Sequence, residues 1–210
     1  MPTIEQARTW YTDSDPVHDF DHVLRVYRMA ERLAEAEGAD LDIVRAAALL
    51  HDAEGATPGH ESRAEHHHAS AEFAAQVLAS EGWDAKRIAA VQHCIRAHRY
   101  RGTEKPETIE AKVLFDSDKL DVLGAIGVAR VIGYATLAGT PWYEAPSQHF
   151  IDTGKEIPGE KHSAYHEQLF KLRKVRQRMF TVTARAIADE RLKYLNEFFE
   201  RLIDEWNGKR

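Results

Sequence analysis

The 210-residue chain has one cysteine, Cys94, and therefore no internal disulfide framework. It has no run of 18 consecutive apolar residues, so no helix is expected to span a membrane. The start, MPTIEQARTWYTDSD, lacks a basic stretch followed by an apolar one, and a cytoplasmic protein is expected. Positive charge is in deficit: 28 Lys and Arg against 34 Asp and Glu leave a formal charge of −6. Capture of nucleic acid needs clustered cations that displace phosphate counterions, so a small-molecule partner is expected instead. No GxxxxGK[ST] loop, internal repeat, low-complexity tract or Gly/Ser linker occurs. Strand-like alternation is nowhere sustained.

What is present is helical periodicity. Hydrophobic residues are 43% and charged residues 30%, ordinary for a globular chain of this length, and one domain over 1–210 is expected. Ile4, Ala7, Trp10 and Tyr11 suggest a first helix, and Asp13 to Pro16 a break. A second helix is predicted over about 18–37, ended by Gly38. A third follows from Asp40 or Asp42 and carries Ile43, Ala46, Ala47, Leu49 and Leu50 as an all-apolar rod, broken after His51 and Asp52 by Gly55, Pro58 and Gly59. Further helices are predicted at about 65–80, 84–98 and 107–121. The Gly- and Pro-rich stretch 124–162 is predicted to hold short helices and a long irregular segment, and 163–206 is helical again. The fold class is all-α, a helical bundle. The KLRKVRQR run at 171–178 is expected to be a solvated helix face.

Twelve histidines stand out, because imidazole is the commonest metal ligand. His51 and Asp52 end an apolar helix, a costly place for two polar side chains unless something satisfies them. A divalent cation does so, and imidazole with carboxylate suits Mn, Fe, Co, Ni, Zn or, less comfortably, Mg. His22 on the preceding helix and Asp118 on a later one allow four ligands from three helices to meet inside a bundle. Spacing alone leaves this open.

The run HDFDHVLRVYRMAERLAEAEGADLDIVRAAALLHDAEG, followed downstream by DSDKLDVLGAIGVAR, resembles the HD-domain superfamily, and more narrowly its bacterial stand-alone phosphohydrolases. The resemblance covers about residues 18–135. It implies an HD-domain bundle in which His22, His51, Asp52 and Asp118 hold one divalent ion, Mn being favoured. Asp116 is the rival for the last place; two residues apart on a helix, the pair point in different directions. Asp52, Glu54 and Lys119 are the expected catalytic groups, with Glu54 as the carboxylate for proton transfer. Arg25, His18, His93 and His98 are the expected substrate contacts. Among the consecutive His66, His67 and His68, at most one or two can point into a pocket, and the others are expected to be exposed to solvent. The implied reaction is hydrolysis of a small phosphorylated metabolite, a nucleotide above all, cleaved from triphosphate to monophosphate and pyrophosphate. Competing readings are a nonenzymatic metal or nucleotide-binding module, a two-iron oxygenase using His93 and His98, and an alarmone hydrolase. Glu54 followed by Gly55, where alarmone hydrolases carry an acidic pair, weighs against the last.

Overall fold

The computed structural model describes residues 1–11, 20–54, 65–99 and 102–210. Ten α-helices and no strand occur among them, as an all-α fold requires. The helices are α1 Ile4–Arg8, α2 Phe20–Glu37, α3 Leu41–Leu50, α4 His66–Ser80, α5 Ala85–Ala97, α6 Ile109–Leu120, α7 Gly124–Leu137, α8 Gln148–Thr153, α9 Ala164–Phe170 and α10 Val182–Trp206. The predicted break at Asp13 to Pro16, together with His18, Gly55, Pro58 and Gly59, lies outside the described residues. The chain forms two compact units, Met1–Asp118 with Phe180–Ala184, and Lys119–Met179 with Arg185–Arg210.

In the first unit the local chemistry matches the sequence pattern. Thr3 and Gln6 form a reciprocal capping box at α1. Asp40 caps α3 by accepting from the amides of Asp42 and Ile43. All of α3 from Ala46 to Leu50 is buried, so this rod is the axis of the unit, and α2 and α5 pack on it. α4 lies against α5 and, less extensively, α3. α2 buries Val23, Val26, Ala30, Leu33 and Ala34, spaced three and four apart, and His22 shares that face.

The second unit corrects one expectation and bears out another. α7 is a regular 14-residue helix despite its glycines, so the irregular part of 124–162 is confined to the flanks of the short α8. A Cβ on Gly127 would fall 2.2 Å from the Val122 carbonyl oxygen, so glycine there permits a close backbone approach. The irregular flanks are tied down by Glu160, whose carboxylate accepts from the Ser147 amide at 2.7 Å, the Ser147 hydroxyl at 2.8 Å and the Ile157 amide at 2.9 Å. These donors, the Ser147 amide foremost, pull the Glu160 pKa down to about 2. The basic run is a 3-10 helix, Leu172–Arg178, with Arg173, Lys174 and Arg178 exposed as the expected solvated face. It buries Leu172 and Val175 while Arg176 turns outward to pair with Asp189.

Candidate metal centre

α2, α3 and α6 deliver His22, His51, Asp52 and Asp118 to one place. His22 Nε2 is 3.5 Å from Asp118 Oδ1 and 4.0 Å from Asp52 Oδ2, and His51 Nε2 is 3.5 Å from the same Asp52 oxygen. His51 is fully buried. Its Nδ1 donates to the Ala48 carbonyl at 2.8 Å, which leaves Nε2 as the lone-pair nitrogen, and that atom has no hydrogen-bond partner. Burial above all, with the neighbouring His98 and His22 adding to it, pulls the His51 pKa down to about 4, so near neutrality the ring is uncharged. An imidazole lone pair facing a carboxylate oxygen in a buried site repels it. A cation between the two removes that repulsion, and the four donors are of a type that divalent transition ions accept. The residues fit the ion that the sequence implied.

Asp52 has a second oxygen with neighbours of its own. His66 Nε2 lies 3.3 Å and His98 Nε2 3.4 Å from Asp52 Oδ1. His98 Nδ1 hydrogen-bonds to the Ile95 carbonyl at 2.5 Å, again directing Nε2 at the carboxylate. Burial alone would raise the Asp52 pKa. The surrounding histidines, His51 first, more than offset it and hold the carboxyl well below its usual range. Tyr11 is a further neighbour: its phenol donates to the Leu49 carbonyl at 2.8 Å, beside the His51-Asp52 doublet.

Asp116 has a different task. It is fully buried, and its carboxylate accepts from the Phe180 amide, the Thr181 amide and the Thr181 hydroxyl, which anchors the start of α10. Asp118, for its part, places Oδ1 beside His22 Nε2. His93 also departs from expectation. Its Nδ1 pairs with Glu104 at 2.7 Å and its Nε2 accepts from the Glu107 amide at 3.2 Å, so neither nitrogen is left for a substrate. His98, expected at the substrate, stands at the carboxylate instead. His66 is the inward member of its triplet that reaches Asp52; His67 is buried nearby and His68 is exposed. His18 lies outside the described residues.

Arg25 is half-buried on α2, three residues beyond His22, and Lys119 is half-buried on α6, next to Asp118 in sequence. Glu54 has an exposed side chain on a fixed backbone: its amide donates to the Ser70 hydroxyl at 3.1 Å and its carbonyl lies 3.2 Å from the same oxygen. No single helix among the described residues is long and apolar enough to cross a membrane.

Comparison with known proteins gives a consistent result. The sequence family described as HD domain matches residues 19–123. The uncharacterised protein YpgQ of Bacillus subtilis (strain 168) is 32% identical over 212 residues, covering 97% of this chain and 94% of its own. The crystal structure of Bacillus subtilis YpgQ in complex with ADP is similar with a TM-score of 0.73 at 30% identity, over 97% of both chains. An HD-superfamily hydrolase from Bacillus thuringiensis is similar with a TM-score of 0.71 at 28% identity, over 97% of this chain and 96% of the other.

Proposed function

This chain belongs to the HD-domain family, and we propose that it is a metal-dependent phosphohydrolase that cleaves a nucleoside triphosphate to the monophosphate and pyrophosphate. The observation that carries the reading is the buried, unpartnered Nε2 of His51 facing Asp52, with His22 and Asp118 closing the same group. The complex of the similar YpgQ with ADP supports a nucleotide as the ligand class. Mn is the favoured ion, with Mg, Co, Ni, Fe and Zn as the other ions that this donor set accepts.

His22, His51, Asp52 and Asp118 would hold the ion, which supplies Lewis acidity for a water molecule and neutralises charge on a phosphoryl group. The chain's own residues do the rest. Arg25 and Lys119 offer cationic side chains for the phosphate oxygens. The reaction joins the water oxygen to the α-phosphorus and breaks the bond from that phosphorus to the α–β bridging oxygen, and pyrophosphate leaves. The water gives up its proton to a carboxylate; Glu54, two residues past the doublet and exposed, is the group assigned that role. The test is a screen of phosphorylated metabolites with Mn, Mg, Co and Ni that measures phosphate and pyrophosphate release. Pyrophosphate from a nucleoside triphosphate, absent in Asp52→Ala, is the expected result; no turnover of any phosphorylated compound would favour a nonenzymatic binding module.

A second reading rests on His66 and His98. Both place Nε2 within 3.4 Å of Asp52 Oδ1, so His66, His98 and Asp52 would hold a second divalent cation. Titration of the apo protein with Mn separates the readings. One ion per chain supports the first, while two ions, reduced to one by His66→Ala or His98→Ala, support the second.

A further inference from the structure

We infer that Tyr11 is a positioning residue of the metal centre, holding the end of α3 so that the His51-Asp52 doublet meets His22. This rests on the metal-centre reading above. A helix ends with carbonyls that have no partner within it, and whatever satisfies them sets the direction of the residues that follow. At the end of α3 the Ala48 carbonyl accepts from His51 Nδ1 and the Leu50 carbonyl from the Ala53 amide. Both of these bonds are local. The Leu49 carbonyl accepts from the Tyr11 hydroxyl, a donor 38 residues away in the chain.

The ring of Tyr11 makes the anchor specific. It packs on a cluster formed by Ala7, Phe20, Val23 and Leu49, with its centroid 5.5 Å from that of Phe20. Phe20 and Val23 flank His22 on α2, and Leu49 precedes the doublet on α3. One side chain thus touches the start of the helix that bears the first ligand and the end of the helix that bears the next two. α1, fixed by its capping box, presents Tyr11 to both. Tyr11 lies ahead of the matched family segment, which begins at residue 19.

The test replaces only the hydroxyl. Tyr11→Phe keeps the ring in the cluster and removes the bond to Leu49, whereas Tyr27→Phe removes a hydroxyl from the same cluster without touching the doublet. Both full-length variants and the parent are stripped of metal, checked for helicity and melting temperature, and titrated with Mn²⁺ alone by calorimetry. The expected result is Mn²⁺ affinity about tenfold weaker in Tyr11→Phe, the lower end of what loss of a group supporting the ligands costs. Its melting temperature should match that of Tyr27→Phe, whose affinity should be that of the parent. Equal affinity in Tyr11→Phe and parent overturns the inference, as does an equal loss in both variants or a Tyr11→Phe chain that does not fold. A parent chain that takes up no Mn²⁺ defeats the metal-centre reading itself, a separate and recognisable failure.

Discussion

His51 turns its bare Nε2 toward Asp52 Oδ2 at 3.5 Å because its other nitrogen is spent on the Ala48 carbonyl within the same helix turn. The backbone of α3 thereby chooses the tautomer, and the tautomer leaves Nε2 a bare lone pair rather than a donor to the carboxylate.

Asp52→Ala should lose metal and hydrolysis together while the chain stays folded, because the apolar rod that supports residue 52 is untouched. Metal analysis and circular dichroism check this. His68→Ala, at an exposed position, should change neither; full metal occupancy in the Asp52 variant would remove that residue from the centre.

The two nearby aspartates should separate cleanly. Asp116→Ala leaves the Phe180 and Thr181 amides without their acceptor and should cost about 2–4 kcal/mol of stability, read from thermal or urea unfolding. Asp118→Ala should abolish metal uptake with a much smaller effect on the melting temperature of the apo protein. The opposite assignment of effects would exchange their roles.

Stability of the apo protein should fall as pH drops from about 7 to 4. The unfolded chain protonates His51 at its ordinary value of 6.5, whereas the folded chain resists until about 4. In that window the unfolded state binds more protons and stability rises with pH, by up to roughly 3 kcal/mol from this residue. Asp52, whose folded pKa is depressed, adds a further loss as pH falls below the usual carboxylate range. Urea unfolding at a series of pH values tests this, and the dependence below pH 6.5 should be weaker in His51→Gln.

Arg25→Ala and Lys119→Ala should leave the metal content unchanged and weaken handling of a phosphorylated substrate, each lowering kcat/KM about tenfold or more. Steady-state kinetics on the substrate found by the screen, beside metal analysis of the same samples, gives both readouts. Unaltered kinetics would assign these cations to the fold.

The sequence by itself determined the helices and the apolar rod ending at His51 and Asp52, and it pointed to a candidate ligand set. Periodicity and capping are local, and a buried polar pair at the end of an apolar helix is unusual enough to point to an ion. Tertiary structure alone decided which neighbours share the site. Asp116 and Asp118 differ by about 200° around one helix, and only packing shows which direction faces His22 and which faces Thr181. The sequence gives His93 and His98 the same expected role at the substrate. Glu104 occupies the first, while the second ends α5 with its Nδ1 on the Ile95 carbonyl and its Nε2 turned to Asp52. His66 and Tyr11 reach the doublet from α4 and from the end of the N-terminal segment, contacts between residues 14 and 38 positions apart that no local pattern encodes.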